Sequence, residues 1–286
     1  MKSLPSEEVD ILKLKNEGLF FDMHFHTKYS DGSANIDTIA RICKKNNIGV
    51  AITDHNEIRG AVLANAEEIN SIPGIEIRSS ENVDMLFYFY KIGDLIEFYN
   101  KYIKPNKKLL AYAGLKLSAH EIFDYAKKYN AVSSLAHPFG TLSIGRSLHR
   151  SLKNMYIEEG QDKYNIIKKF DAIEVMNGHL MKSNNMKAFD LAEKYKKGYT
   201  AGSDGHVKFD LGTVLCYSFC KDNKCFLNNI KKKDVKVYYY SGRIARMLVS
   251  RSWALRKHAI HPIHYLGRVV DFGKRKIETK ILNNKL

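Results

Sequence analysis

The stretch FDMHFHTKYSDG, residues 21–32, places two histidines one residue apart at the end of an apolar run. If residues 19–26 form a β-strand, His24 and His26 point to the same face, because side chains alternate along a strand. Their imidazoles then lie roughly 6–7 Å apart, close enough to bind one metal ion. A lone pair of this kind is more often two ordinary histidines near a turn, so the rest of the sequence has to decide.

Predicted strands and helices alternate along the remainder of the chain. Apolar, β-branched runs predict strands at 48–55, 75–80, 83–90, 131–138, 171–178 and 198–206. Apolar residues at helical spacing predict helices at 37–47, 58–71, 93–103, 118–129, 160–169 and 181–197. This alternation favours a parallel sheet, either an open layer or a closed barrel.

Histidines and carboxylates recur at or just after the carboxyl ends of the predicted strands. In a barrel those ends form a ring at one face, where the loops build the active site, whereas an open sheet spreads them along a line. The recurrence from the first strand to the last therefore favours a barrel. The residues concerned are His24, His26, Asp31, His55, Glu76, His137, Asp204 and His206.

This set mixes imidazole with carboxylate and contains no thiolate, which suits Zn²⁺, Mn²⁺ or Fe²⁺. One catalytic ion usually takes three or four protein ligands. A larger set of candidates therefore predicts two or three divalent transition metal ions. Such clusters orient phosphate oxygens and activate water for in-line displacement.

The composition of the chain bears on its partners and its compartment. A formal charge of +15 over 286 residues indicates a polyanionic partner (nucleic acid, a phosphorylated metabolite or an anionic membrane surface), or a generally lysine-rich composition. Four irregularly spaced cysteines predict no disulfide framework. The polar first segment and the lack of an apolar run of about 18 residues predict a cytoplasmic protein without a secretory signal or transmembrane segment.

The composition changes after Tyr240. Residues 241–286 contain eleven Lys and Arg against two acidic residues, and several of the arginines alternate with apolar residues in a basic amphipathic pattern. We therefore predict a barrel domain, 1–240, followed by a basic C-terminal extension, 241–286, that is helical. The extension either binds a polyanionic substrate or partner, or packs on the barrel through its apolar residues.

Five motifs in this sequence resemble those of the PHP (polymerase and histidinol phosphatase) family. They are HFHTKYSDG, AITDHNEIRGA, PGIEI, LAHPFG and GSDGH, in family order over roughly residues 18–220. The resemblance implies an α/β fold, a distorted (β/α)7 TIM-like barrel of the PHP type, with a di- or trinuclear metal site that usually hydrolyses phosphoesters. The eight residues named above match the metal ligands of the family.

The sequence departs from the family pattern at one ligand. The family commonly has a histidine in the strand after the GIE motif, and this chain has Asp84 at the corresponding position. Two interpretations stay open. Asp84 binds metal in place of the imidazole, which we predict, or the third ion is weakly bound or absent.

Other residues are candidates for proton transfer and for substrate binding. His137 and His206 are the candidate catalytic residues, which can move a proton where they are not fully committed to metal. Lysine and arginine side chains near the expected opening of the barrel can bind a phosphate, although such side chains are common on surfaces. The substrate-binding candidates are Lys28, Arg146, Arg150, Asn177 and His179.

The predicted function is metal-dependent hydrolysis of a phosphoric ester, by attack of a metal-bound hydroxide on phosphorus. The substrate is a phosphomonoester, a nucleotide or an oligonucleotide end, which makes the enzyme a phosphatase or a phosphodiesterase/exonuclease. The basic extension favours nucleotide or nucleic-acid substrates. Two alternatives remain: a non-catalytic nucleic-acid-binding protein on the same scaffold, and a metal-dependent hydrolase of non-phosphate bonds.

Overall fold

The fold is built on one mixed β-sheet. The computed structural model describes residues 17–67, 69–108, 114–140 and 166–239. Within these residues the strands are β1 (Leu19–Phe25), β2 (Gly49–Ile52), β3 (Ser71–Arg78), β4 (Asp84–Tyr88), β5 (Val132–Leu135), β6 (Ala172–Asn177), β7 (Gly198–Gly202), β8 (Val214–Ser218) and β9 (Lys236–Tyr239). They lie side by side in the order β7-β6-β5-β4-β3-β2-β1-β8-β9.

Helices connect most of these strands. They are α1 (Ile36–Asn46), α2 (Arg59–Ala66), α3 (Ile92–Phe98), α4 (Ala119–Lys127), α5 (Lys182–Lys194) and α6 (Asn223–Lys232). The first helix shows how the sequence sets such boundaries. Its start is capped by the Asn35 side chain, which accepts a hydrogen bond from the backbone N of Thr38 (2.9 Å). Its end is marked by Asn47, which adopts the left-handed backbone conformation that asparagine tolerates.

The first seven strands close into a barrel. The backbone N of Asp204 donates to the carbonyl of His24 (2.8 Å), and that of His26 donates to the carbonyl of Gly205 (2.9 Å). The segment after β7 therefore runs parallel to the end of β1 and joins the two edges of the sheet. Gly202 permits this approach, because a Cβ there would lie 2.4 Å from the Cβ and backbone N of His24. These contacts confirm the α/β, TIM-like barrel that the sequence predicts.

The barrel departs from a purely parallel sheet at β4, which is antiparallel to both of its neighbours. Only residues 79–83 connect β3 to β4. A parallel crossover needs a dozen or more residues, whereas an antiparallel hairpin needs only a few. The short connection therefore reverses the strand. At the other edge β8 pairs antiparallel with the first half of β1, and β9 pairs antiparallel with β8.

Two predicted boundaries were wrong. The helix predicted at 58–71 ends at Ala66, and the strand predicted at 75–80 begins at Ser71, so Pro73 and Gly74 lie inside β3. The missing N–H of Pro73 is tolerated there, while its carbonyl accepts from the backbone N of Phe89 (2.8 Å). Of the helix predicted at 160–169, the described part forms only a 3₁₀ turn at Ile167–Lys169.

The barrel interior is packed with large side chains and satisfied polar groups. The hydroxyl of Tyr88, on β4, donates to the carbonyl of Met23 on β1, across the barrel (2.9 Å). The hydroxyls of Ser134 and Thr200 hydrogen-bond each other (2.6 Å). Tyr88 and Met23 are fully buried. Because these side chains fill the interior of the barrel, its open face is the one at the carboxyl ends of the strands.

Several predictions concern residues outside the described ranges. They include the helical character of the extension 241–286 and the positions of Arg146 and Arg150. The division of the chain at residue 240 also stays a prediction. Among the helices of the described residues, none has both the length and the apolar character needed to cross a bilayer.

Candidate metal centre

The centre begins with the two histidines at the end of β1. The Nε2 atoms of His24 and His26 lie 3.1 Å apart, and both side chains are buried. Alternation along the strand sends both rings to the same side, as the sequence predicts. Two imidazole nitrogens directed at one point are the arrangement that a shared cation requires.

Histidine and carboxylate atoms converge here in three overlapping groups. In each group the candidate ligand atoms all lie within 4.8 Å of one another. The groups are His26, Asp31, His55 and His206; His24, Glu76 and His137; and His24, His26 and Asp204. Together they contain all eight of the residues that the sequence places at strand ends. That these residues bind metal stays a prediction, which this convergence supports.

Glu76, on β3, lies at the junction of the groups. Its Oε2 lies 2.8 Å from Nδ1 of His55, and its Oε1 lies 3.0 Å from Nε2 of His137. Oε2 is also 3.5 Å from Nε2 of both His24 and His26. One carboxylate thus faces four imidazoles, so it would be available to hold a divalent cation together with them.

Two buried polar atoms support the presence of a cation. Within the described residues, Nδ1 of His26 makes no hydrogen bond, and Oε2 of Glu76 makes none of acceptable geometry beside its 2.8 Å ion pair with His55. A buried polar atom whose hydrogen bonding is incomplete is costly unless it binds something. The oxygen faces the imidazole nitrogens described above, so a divalent ion fits it, and the mixture of nitrogen and oxygen donors suits Zn²⁺, Mn²⁺ or Fe²⁺.

The electrostatics of the metal-free centre follow from its dense charges. Burial lowers the pKa of His55, but the carboxylates of Glu76 and Asp31 outweigh it and raise this pKa to about 10. Burial also lowers the pKa of His206, but the carboxylate of Asp31 outweighs it, and this pKa rises to about 9. For His26 burial prevails and lowers the pKa to about 4. In the metal-free centre, carboxylates thus keep protons on His55 and His206. A bound metal ion would supply the positive charge instead and would need neutral imidazoles.

Glu174, which the sequence did not single out as a site residue, supports two of these histidines. Its Oε1 lies 2.9 Å from Nδ1 of His24. Its Oε2 accepts hydrogen bonds from the backbone N of His137 (2.7 Å) and from Nδ2 of Asn177 (3.1 Å). A lone acidic residue inside the apolar strand β6 is the sequence signal that could have identified it.

Asp54 fixes the loop that follows β1, and the sequence did not identify it either. Its carboxylate accepts from the backbone N and the hydroxyl of Thr27 (2.7 and 2.6 Å) and from the hydroxyl of Ser30 (2.6 Å). Burial raises the pKa of Asp54 to about 6, against these hydrogen bonds. The loop that carries Asp31 is therefore anchored to the end of β2.

Asp84 lies outside the three groups. Its Oδ1 and Oδ2 accept hydrogen bonds from Nε and Nη2 of Arg78 (2.5 and 2.9 Å). Oδ2 lies 3.9 Å from Nε2 of His137. The geometry therefore gives Asp84 an arginine partner, and its assignment as a metal ligand stays a prediction.

The predicted substrate-binding residues fall in different places. Lys28 is exposed, with Nζ 5.5 Å from the ring centroid of Tyr29. His179 is partly exposed, and its Nε2 lies 3.6 Å from Oδ2 of Asp210, on the loop after β7. Asn177 is buried and donates to Glu174 and to Asp204 (3.2 Å), so the structure gives it the role of holding two carboxylates. A substrate contact by Asn177 stays a prediction.

Comparison with known proteins assigns the chain to a family. A model of the PHP domain matches residues 22–209, which is more than half of the chain. The chain belongs to the PHP domain family. The chain is 28% identical over 273 residues to the uncharacterized protein MJ0417 of Methanocaldococcus jannaschii, and the match covers 90% of this chain and 98% of that protein.

Solved structures share the fold of this PHP domain. One is a two-domain protein of Bacteroides vulgatus containing a predicted PHP-like metal-dependent phosphoesterase (TM-score 0.54, 16% identity, 78% of this chain and 65% of that chain). Another is endonuclease Q in complex with a 27-mer duplex substrate with an abasic lesion at the active site (TM-score 0.57, 18% identity, 75% of this chain and 57% of that chain).

The chain spans less than two thirds of either protein, and at these identities the likeness shows the fold. Membership of the PHP family and the groups of candidate ligands together support a metal-dependent hydrolase.

Proposed function

We propose that this PHP domain is a metal-dependent phosphoesterase that hydrolyses a nucleotide or the end of a nucleic acid. One observation carries the proposal: eight imidazole and carboxylate side chains, from the ends of five strands, converge at one face of the barrel. A centre of this size suits two or three divalent ions, Mn²⁺, Zn²⁺ or Fe²⁺. Bound ions of this kind supply an activated water and neutralise charge on phosphoryl oxygens.

Some residues of the chain would position the candidate ligands, and a histidine would donate a proton to the leaving group. Glu174 fixes the ring of His24, and Asp54 anchors the loop that carries Asp31, so the ligand atoms are positioned before substrate arrives. His206 is partly exposed at the mouth, with its Nε2 3.1 Å from Oδ2 of Asp31. We propose that His206, or the more buried His137, donates a proton to the oxygen of the leaving group.

The preference for a nucleotide or nucleic acid rests on two exposed apolar side chains on the loops that follow β6 and β7. Phe209 (62% exposed) lies on the loop after β7, and Met181 (64% exposed) lies on the loop after β6. The ion pair between His179 and Asp210 joins these two loops. Exposed aromatic side chains beside a phosphate site offer a surface on which a base stacks. Lys208, whose Nζ lies 5.0 Å from the Phe209 ring centroid, adds a positive charge there.

A metal-supplemented substrate screen tests the proposal. Protein freed of metal by chelation and reloaded with Mn²⁺ or Zn²⁺ is assayed with p-nitrophenyl phosphate, nucleotides and short single-stranded oligonucleotides. We expect hydrolysis by the loaded protein and none by the chelated protein. Glu76→Gln should abolish turnover, whereas Glu97→Gln, at an exposed position on α3, should retain it.

Two outcomes would overturn the proposal. Loaded, folded protein that binds oligonucleotides but cleaves no phosphoester would support the non-catalytic nucleic-acid-binding alternative. Turnover of amides or carboxylic esters with no phosphoester cleaved would support the hydrolase of non-phosphate bonds, because the fold alone does not determine the reaction.

A further inference from the structure

Arg78 and Asp84 form a bidentate ion pair at the edge of the metal centre. They are register partners on the antiparallel strands β3 and β4. Arg78 follows Glu76 by two positions on β3, so both side chains point to the same face of the sheet. The pair therefore fixes a guanidinium group beside the carboxylate at the junction of the three ligand groups.

The position of this pair conflicts with a metal ion at Asp84. Oδ2 of Asp84 accepts from Nη2 of Arg78 at 2.9 Å, and the same oxygen lies 3.9 Å from Nε2 of His137. A cation held by Asp84 and His137 would share that oxygen with the guanidinium. Two positive charges so close repel each other, and a guanidinium does not lose its proton in proteins.

The charge of Arg78 also reaches the candidate ligands. The carboxylate of Asp84 raises the pKa of Arg78 above its usual value, against burial, and those of Glu76 and Asp31 add to the effect. Coulomb attraction of this kind acts over several ångströms in a partly buried site. The guanidinium is thus a permanent cation within electrostatic range of the centre.

We infer that the Arg78 guanidinium, held by Asp84, takes the place of a third metal ion, so that the centre holds two ions and Arg78 binds a phosphoryl oxygen of the substrate. This inference rests on the proposed function. It leaves the two ligand groups that contain His26 for the ions. His137 then keeps its 3.0 Å contact with Glu76 and is available to move a proton.

Arg78 retains the donors that this role needs. Asp84 takes Nε and one N–H of Nη2, and within the described residues Nη1 donates no hydrogen bond. The side chain is 16% exposed, so it is neither sealed in the core nor freely hydrated. A guanidinium with free N–H groups and a fixed orientation is well suited to bind phosphate oxygens.

Metal counting is the first test and does not depend on turnover. Metal-free protein is titrated with Mn²⁺, and the bound metal is measured by elemental analysis after removal of excess ion. We expect two ions per wild-type chain and three in Arg78→Gln, where Asp84 is released. The matched control Arg41→Gln, which removes an exposed charge on α1, should bind two. Three ions in the wild type would overturn the inference.

Phosphate binding is the second test. Inorganic phosphate is titrated by calorimetry into protein loaded with two equivalents of Mn²⁺, so that no third ion replaces the lost charge in Arg78→Gln. Arg78→Gln should bind phosphate about tenfold to a hundredfold more weakly than the wild type and Arg41→Gln, because it loses hydrogen bonds from a charged donor. Unchanged affinity in folded Arg78→Gln would refute the phosphate role. If that variant fails to fold, Arg78→Lys keeps the charge, and we expect it to hold two ions but to bind phosphate about tenfold more weakly.

These results separate the inference from the proposed function. Wild-type protein that cleaves phosphoesters and binds three ions would reject the role of Arg78 alone. Wild-type protein that binds two ions and phosphate through Arg78 but cleaves no phosphoester would reject the proposed function alone.

Discussion

Oε1 of Glu174 lies 2.9 Å from Nδ1 of His24, so a carboxylate on β6 orients an imidazole on β1, with β7 between the two strands. Both side chains are buried. The other oxygen of Glu174 accepts from the backbone N of His137. One carboxylate thus fixes the ring of one candidate ligand and the backbone of another, and it selects the Nε2 atom of His24 to face the centre.

We predict that Glu174→Gln lowers the affinity of the protein for Mn²⁺ about tenfold to a hundredfold, because the imidazole loses the carboxylate that orients it. Glutamine preserves the shape of the side chain but not its charge. Calorimetric titration of metal-free protein measures the affinity. Glu97→Gln, which changes an exposed glutamate on α3, is the control and should match the wild type. Wild-type affinity in a folded Glu174→Gln protein would contradict the prediction.

The metal-free protein should lose stability as the pH rises from about 6.5 to about 10. The pKa values of His55 and His206 are raised to about 10 and about 9 in the folded state, above the ordinary histidine value near 6.5. Their contribution to folding is therefore complete below the unfolded pKa, and it disappears as the pH passes the folded values. Thermal melting in the presence of a chelator, across this pH range, measures the loss.

Metal loading provides the contrast for that experiment. Bound ions require neutral imidazoles, so the loaded protein should not show the decline over the same range. Asp31→Asn removes the carboxylate that raises both pKa values, and it should flatten the decline in the metal-free protein. A metal-free wild type whose melting temperature stays constant from pH 6.5 to pH 10 would refute the prediction.

The sequence predicted where the candidate ligands converge, but it did not predict the residues that hold them in place. His24 and His26 follow from strand alternation, and the other six follow from the tendency of barrel strands to end at one face. Glu174 did not stand out, because a strand pattern does not show which buried acid faces the interior. The antiparallel course of β4 depends on the length of one connection, and the pairing of Arg78 with Asp84 depends on the register of two strands. Register is a property of the folded sheet, and neither residue signals it alone.

The basic extension gives a prediction that rests on its sequence. Deletion of residues 241–286 should leave metal content and hydrolysis of p-nitrophenyl phosphate intact. It should weaken oligonucleotide binding, and the loss should shrink at high salt, because eleven basic residues against two acidic ones attract phosphates electrostatically. Fluorescence anisotropy measures the affinity at two salt concentrations.

A charge variant separates binding from packing in this extension. Replacement of Arg243, Arg246 and Arg251 by glutamine keeps the apolar residues and should reproduce part of the loss of affinity. Unchanged oligonucleotide affinity in a folded deletion protein would reject the binding role. Insoluble deletion protein beside a soluble triple variant with unchanged affinity would favour the packing role.

Two exposed phenylalanines on opposite faces of the barrel test the substrate class. Phe209 (62% exposed) belongs to the loop that carries His206, whereas Phe219 (73% exposed) follows Ser218 at the end of β8. Ser218 pairs with Leu19 at the start of β1, so Phe219 lies at the face opposite the histidines that end this strand. The same substitution, phenylalanine to alanine, can thus be made on the loop that carries His206 and at the opposite face.

We predict that Phe209→Ala raises the KM for a nucleotide or short oligonucleotide about tenfold, with little change for p-nitrophenyl phosphate, whereas Phe219→Ala changes neither. The expected size follows from base stacking on an aromatic ring, which contributes about 1–3 kcal/mol per base. A stacking contact made equally in the ground and transition states raises KM and leaves kcat unchanged, so steady-state kinetics with the loaded enzyme distinguish it from damage to the centre. Equal KM values for the nucleotide in both variants would show that Phe209 does not bind the base of the substrate. The centre would then recognise the phosphate alone, and a small phosphomonoester would become the better substrate class.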